Sequence, residues 1–435
     1  MTGLGLLALA APLVIGLWLA WVWDDKRAAG RWAPMLGLAL VVGVALIAGR
    51  RYRRRVVRSL RDGARTIDFG FVEPPNSPLV STGPGSLVTP GDIGREGARY
   101  VGSRTLPDDV QDVTGQAAIA EPIRVFVGLD AADSIAERVQ IALDELRRCD
   151  AFSRSVLVIQ APAGTGFANS TPVDVLELLA RGDCASVAVG YGLLPSFLSL
   201  NRVDIARQTQ AALMEGVARE CARAGMAPRI VLYGESLGAK VQQEALRNGF
   251  DDMDQWGIAR ALWVGTPGGR EHDEAHDKFR KSSVTVDRPE QVPSSGRSDI
   301  RVWFLEHDAD PVVRFRARLA YRRPAWLPTE GDRGRGVPVN MRWLPAITWA
   351  QVLVDTAYAT DITPGDFRSC GHDYRADLGV VTAAAFGLVD GDRQVAGAAS
   401  PERSSQGTLS RWEDNLEGKL RALELRRADR IDRDA

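Results

Sequence analysis

Hydrophobic positions are unevenly spread along the chain. Residues 4–23 carry no charge, and neither do residues 32–49. Each run is close to the length an α-helix needs to cross a hydrocarbon core. Residues 24–31 between them suffice only for a tight hairpin. Trp18, Trp21, Trp23 and Trp32 flank it, where amphipathic rings favour the headgroup layer. A dense basic run follows at Arg50, Arg51, Arg53, Arg54, Arg55 and Arg58. The pattern predicts two transmembrane helices with a basic flank over 1–55, a multi-pass membrane protein, and a cytoplasmic location for everything after Arg50. Lys26, Arg27 and Arg31 in the opposite loop pull the other way. A cleaved signal peptide fits less well, because no Lys or Arg precedes the first run.

Residues 56–120 read as a linker. Pro74, Pro75, Pro78, Pro84 and Pro90, with many Gly and Ser, argue against a regular helix or ladder there. From residue 121 the pattern becomes strand, helix, strand. Short, β-branched apolar runs at 123–129, 155–159, 186–189, 229–233, 259–264 and 300–305 do not alternate, which suits strands covered on both faces. Helical patterns at 134–149, 173–179, 204–223 and 237–247 separate them. That order predicts βαβ units and a mostly parallel sheet over 121–400, with any ligand at the C-terminal ends of its strands. The apolar segment 343–354 either lines a site mouth or is an ordinary packed helix. Residues 401–435 form an amphipathic tail whose Trp412, Leu416, Leu420 and Leu423 recur at helical spacing, as in a helix that covers the core or binds a partner.

Charge and composition narrow the function classes. Lys+Arg 54 against Asp+Glu 55 leaves a net charge of -1, so no basic field points to nucleic acid. Cys149, Cys184, Cys221 and Cys370 are scattered without metal or redox spacing. No metal and no cofactor is called for.

The candidate chemistry begins directly after the run at 229–233, with Gly234-Glu235-Ser236-Leu237-Gly238 ahead of a helical pattern. A G-x-S-x-G placed between strand and helix forces the serine into a sharp turn and lifts its hydroxyl above the sheet. The alternative is a helix N-cap serine between two turn glycines. A nucleophilic serine needs a base, and the base an orienting acid. His272 and His276 lie in a charged excursion that reads as solvated surface. His307 ends a strand and reads as structural. His372 follows the last helical region. Asp310, in Asp310-Pro311-Val312, is the candidate acid, with Asp308 as the alternative. The order Ser236, Asp310, His372 is that of an α/β-hydrolase. The Leu237 N–H would be one oxyanion donor, and Gly164 or Thr165, in the glycine-rich turn after the second strand, another. Tyr191, Leu194 and Phe197, in the loop after the third strand, would line an acyl pocket or pack the core.

These residues resemble a family of membrane-anchored α/β-hydrolases found in high-GC bacteria. The resemblance rests on Gly85-Ser86-Leu87-Val88, Gly94-Arg95-Glu96-Gly97, Leu194-Pro195-Ser196-Phe197-Leu198-Ser199-Leu200, the elbow, Leu262-Trp263-Val264-Gly265, Asp310-Pro311-Val312-Val313, Met341-Arg342-Trp343-Leu344-Pro345 and Gly371-His372-Asp373-Tyr374. It implies an α/β-hydrolase fold behind an N-terminal membrane region, with Ser236, Asp310 and His372 as its triad. Family members usually have more spans than the two visible here. The expectation is a membrane-anchored serine hydrolase of carboxylic esters, with a hydrophobic acyl ester as substrate and the lipid bilayer as its other partner. An acyltransferase using the same triad, or a non-catalytic membrane scaffold, is the alternative.

Overall fold

The apolar runs become a seven-stranded sheet in a computed structural model that describes residues 29–193, 203–225, 228–268, 274–293, 297–328, 333–359, 365–389 and 411–432. Strands β1 (Ile123–Val127), β2 (Val156–Ala161), β3 (Cys184–Val189), β4 (Arg229–Glu235), β5 (Ile258–Val264), β6 (Ser283–Val286) and β7 (Val302–Leu305) lie in the order β1-β3-β2-β4-β5-β7-β6. Every pairing is parallel. β1, β2, β3 and β7 are buried along their whole length, the environment that uninterrupted apolar runs require. The edge strand β6 has no counterpart among the predicted strands. It is only Ser-Val-Thr-Val, with just Val286 buried, and so lacks the continuous apolar signal of its neighbours.

Helices are α1 (Ala29–Arg65), α2 (Pro90–Gly102), α3 (Pro107–Thr114), α4 (Ile135–Arg148), α5 (Thr171–Leu179), α6 (Val203–Ala224), α7 (Leu237–Ala245), α8 (Phe250–Gln255), α9 (Glu274–Phe279), α10 (Pro311–Arg314), α11 (Ile347–Tyr358), α12 (Leu378–Ala385) and α13 (Arg411–Asp432). α4, α6 and α7 pack together on the sheet, and α3, α5, α12 and α13 form a second group. α4 starts as its sequence dictates. Ser134 Oγ accepts the Glu137 N–H, and the Glu137 carboxylate accepts the Ser134 N–H.

The expectation of an irregular linker over 56–120 is corrected. Pro90 and Pro107 open α2 and α3. At the first helical position proline loses no hydrogen bond, and its fixed φ already suits the helix, so these prolines start helices instead of breaking them. The segment also belongs to the core. Val80, Val88, Ile93, Tyr100 and Val101 are buried with the sheet, and Val80 bridges Arg124 of β1. A Cβ at Gly97 would sit 2.6 Å from the Phe126 ring, which is how closely α2 approaches β1.

A buried ion cluster ties these layers. Arg124 Nε donates to Glu177 Oε1 at 2.6 Å, Nη2 to Asp174 Oδ1 at 2.7 Å and to Glu177 Oε2 at 2.9 Å, and Nη1 to the Tyr100 carbonyl at 2.8 Å. Arg427 of α13 reaches the other oxygen of Asp174. Replacing Arg124 with methionine would leave the buried Glu177 carboxylate without its cation and Asp174 with Arg427 alone. The expected loss is about 3–5 kcal/mol of stability, read as a lower midpoint in urea unfolding. α13 lays Leu416, Leu420 and Leu423 against Val110, Val175 and Phe367. Its Lys419 and Arg426 pair with Asp109 of α3.

Chain packing separates Met1–Gly63 from Ala64–Ala435. Of the two apolar runs, 4–23 lies outside the described residues. The expected hairpin at 24–31 is helical from Ala29 onward, and α1 continues through the second run and the arginines to Arg65. Arginine, valine and leucine all tolerate a helix, so nothing ends it at the change in polarity. Among the described residues, no helix is long and apolar enough to cross a membrane.

Candidate active site

The central strand β4 delivers Ser236. The chain turns sharply between β4 and α7, and Ser236 adopts φ 53°, ψ -123°. Positive φ strains any residue with a Cβ. A Cβ at Gly234 would lie 2.7 Å from the Ala239 nitrogen, and one at Gly238 would lie 2.3 Å from the Ala161 carbonyl oxygen. Both flanking positions therefore require glycine. Ser236 occupies the N-cap position of α7, yet its hydroxyl makes no capping hydrogen bond. The N-cap alternative does not describe this serine. The Leu237 N–H lies in the first helical turn, where donors have no intrahelical acceptor and the helix dipole favours negative charge.

Sheet register sets the neighbours of the elbow. Ala161, the last residue of β2, pairs with Gly234, and Val264, the last of β5, pairs with Glu235. After β2 the chain makes a turn in which the Ala163 N–H donates to the Phe167 carbonyl and the Gly166 N–H to the Ala163 carbonyl. Those bonds leave out the N–H groups of Gly164 and Thr165. Asn169 anchors the turn to the elbow, its Nδ2 donating to Glu235 Oε2 at 2.7 Å, where the Tyr233 hydroxyl also donates at 2.7 Å. On the other flank, the Ser236 N–H donates to the Val264 carbonyl at 2.8 Å. The next residue, Gly265, has φ +56°, and a Cβ there would lie 2.8 Å from His372 Cε1. The imidazole thus lies against the residue that follows the elbow's own hydrogen-bond partner.

His372 sits at the tip of a tight turn closed by two backbone hydrogen bonds between Cys370 and Asp373, of 3.0 and 3.1 Å, with Gly371 supplying the positive φ. Its Nδ1 is 2.7 Å from Asp310 Oδ2. Among the described residues Nε2 has no hydrogen-bond partner. Asp310 is fully buried at the N-cap of α10. Its Oδ1 accepts the Val312 and Val313 N–H groups at 2.8 and 3.4 Å, and Oδ2 also accepts the Tyr374 hydroxyl at 2.5 Å. Burial alone would lower the His372 pKa. The charge and hydrogen bond of Asp310 outweigh it, helped by Glu235 and Asp373, and hold the imidazole above its ordinary value. Burial, with Asp310 alongside, pushes the Tyr374 hydroxyl well up, so it stays a donor.

The remaining candidates separate clearly. Asp308, the alternative acid, pairs with Arg314 and not with His372. His307 Nδ1 lies 2.8 Å from the Gly371 carbonyl and Nε2 lies 2.8 Å from Asp377, and its ring stacks on Tyr374. It braces the turn that carries His372. His276 stacks on Phe304 and faces the buried Glu306 at 3.2 Å, which is not the bare surface its charged neighbours suggested. Tyr191 is fully buried in a small cluster with Ala206, Leu237 and Val241, beneath the elbow. Leu194, Phe197 and His272 lie outside the described residues. Sequence reasoning missed Tyr374, Asn169 and the brace formed by His307 and Asp377. Their only signal was proximity to the His372 motif or to a loop, which does not show which way a side chain turns.

A central parallel sheet, a strained serine after β4, and an Asp–His pair carried by later loops define the α/β-hydrolase class. A family model described as the alpha/beta-hydrolase family matches residues 123–390, and the chain belongs to that family. Two solved structures also align. An iodinated complex of acetyl xylan esterase is 17% identical with a TM-score of 0.26, and acetylxylan esterase itself is 18% identical with a TM-score of 0.25. Each alignment covers 37% of this chain and 84% of that one. No curated protein sequence matches.

Proposed function

We propose that the chain is a serine hydrolase of carboxylic esters, with Ser236 as nucleophile, His372 as general base and then acid, and Asp310 as the group that orients the imidazole. The observation that carries this reading is the strained, uncapped serine on a turn whose neighbour Gly265 holds the ring of His372. Ser236 Oγ attacks the acyl carbonyl while His372 Nε2 takes its proton. The tetrahedral oxyanion is met by the Leu237 N–H and by the N–H of Gly164 or Thr165. Collapse expels the alcohol, which takes the proton from His372. Water then repeats the sequence on the acyl-enzyme and releases the acid. Asp310 keeps the Nδ1 proton in place and supports the imidazolium. No step calls for a metal or a cofactor.

The substrate in this reading is a hydrophobic acyl ester, and the N-terminal region tethers the enzyme to a membrane. The tether is supported by the two charge-free runs and by α1, where Leu46 and Ile47 are exposed just ahead of the arginine run. By the same arginines the catalytic unit faces the cytoplasm.

A fluorophosphonate probe tests the chemistry. Folded protein should gain one adduct, located by peptide mass at Ser236, and its absence would reject the mechanism. The pH profile is a second check. Base catalysis needs neutral His372, and Asp310 raises its pKa, so kcat/KM on a soluble ester should rise through an acid limb with its midpoint above 6.5.

A further inference from the structure

Helix α11 breaks the usual relation between apolarity and burial. A helix that is apolar on most sides belongs in a core. In α11 (Ile347–Tyr358) only Thr348 and Val352 are buried, while Thr356 and Trp349 are half-buried, the latter packed on the Phe315 ring. Ile347, Val354 and Tyr358, spaced i, i+7 and i+11 on another side, are 63%, 54% and 72% exposed. Leu344, Leu353 and Val339 extend the apolar surface. Surface of this kind marks a place where something docks.

Charge identifies the occupant. The chain as a whole has a net charge of -1, but residues 311–358 contain eight arginines and no lysine, against Glu330, Asp332 and Asp355. Arg314 and Arg335 turn inward to Asp308, Asp287 and Asp377. Arg322 and Arg342 are exposed. Several of the arginines line a cavity with Trp326 beside α10. An apolar helix flanked by arginines has the composition of an element that lies in the plane of a bilayer with acidic headgroups. A second copy of the same surface would bring arginine against arginine.

The helix is also tied to the candidate site. Thr356 Oγ1 donates to the Pro311 carbonyl at 3.3 Å, and Pro311 directly follows Asp310. Trp343 Nε1 donates to the Leu319 carbonyl at 3.0 Å, holding the approach to α11 on the same cap. We infer that residues 311–328 and 333–358 form a cap that seats on an anionic membrane surface and brings bilayer-resident acyl esters to the triad. This deepens the ester-hydrolase reading and rests on it for the second half of the statement.

The test uses full-length protein in detergent, in phosphatidylcholine nanodiscs and in nanodiscs that also contain phosphatidylglycerol, followed by hydrogen–deuterium exchange. Peptides covering 347–358 should gain protection in the anionic discs over both other conditions. The variant Ile347→Asp/Val354→Asp should lose that gain. Arg322→Ala and Arg342→Ala should each lower it about fivefold. Both apolar positions are exposed, so the double variant should fold and keep its turnover of a soluble short-chain ester, while its turnover of a disc-embedded ester falls. Equal protection in neutral and anionic discs, no protection in either, or protection that rises with protein concentration in detergent would each overturn the inference. Fluorophosphonate labelling of the same samples reports separately on Ser236. An unlabelled protein that still docks would reject the chemistry and not the surface.

Discussion

Ser236→Ala should abolish turnover, with kcat on a soluble ester falling on the order of a million-fold, while the protein stays folded. The first half follows from the proposed mechanism, in which Ser236 is the nucleophile on the strained turn beside Gly265 and His372. The second half follows from the local geometry. The Ser236 hydroxyl makes no capping hydrogen bond, so its loss leaves no partner unsatisfied. Alanine suffers the same strain as serine at φ 53°, and the melting temperature should hardly change. Ser236→Gly provides the internal control. It should be equally inactive but more stable than the alanine variant by about 1 kcal/mol, because glycine accepts positive φ without a clash. Steady-state kinetics and thermal melts on the two variants test both statements. Retained activity in either would remove Ser236 from the chemistry.

Asp310→Asn carries the next largest effect, a loss on the order of ten-thousand-fold in kcat. The hydrogen bonds around the carboxylate determine how an amide must sit. Oδ1 accepts two backbone N–H groups, so the amide oxygen takes that place. The NH2 group then replaces Oδ2 and faces His372 Nδ1 and the Tyr374 hydroxyl. A donor opposite Nδ1 favours the tautomer with its proton on Nε2, which cannot accept a proton from serine. The pH behaviour gives a second readout. In the parent, Asp310 raises the His372 pKa against the lowering effect of burial. Without the carboxylate charge burial dominates, and the acid limb of kcat/KM should move to lower pH. Stability follows the same linkage. A raised native pKa stabilises the fold below the ordinary imidazole pKa near 6.5, and this contribution disappears as pH rises through the native value. The parent should therefore lose more stability than Asp310→Asn on going from mildly acidic to alkaline buffer. Asp308→Asn should leave activity nearly unchanged, since Asp308 binds Arg314 and not the imidazole.

Legibility in the sequence followed burial. Strands β1 to β5 and β7 were readable because a strand covered on both faces must be written as a short unbroken apolar run. β6 was not, because a four-residue edge strand with one buried side chain carries no such constraint. The prolines of 56–120 misled for a different reason. Pro90 and Pro107 have the same composition as helix breakers, and only their position at the first turn makes them helix starters. α11 was visible as an apolar segment, but its exposure was not, since exposure depends on what the rest of the chain leaves uncovered.

The amino-acid order by itself determined the α/β alternation, the glycine-flanked serine after the strand at 229–233, and the sequence Ser236, Asp310, His372. Each of these is a local pattern, imposed by steric limits within a few residues or by the two-sided burial of a strand. Only the tertiary structure decided which acid faces which base. Asp308 and Asp310 lie two residues apart and do not differ in chemistry, and the choice was made when packing turned Asp310 to His372 and set Asp308 against Arg314 of α10. The supporting contacts of Tyr374, Asn169 and the His307–Asp377 pair were decided the same way. Hydrogen bonds between residues up to about seventy positions apart depend on the distance and direction that packing imposes, and neither is encoded by spacing along the chain.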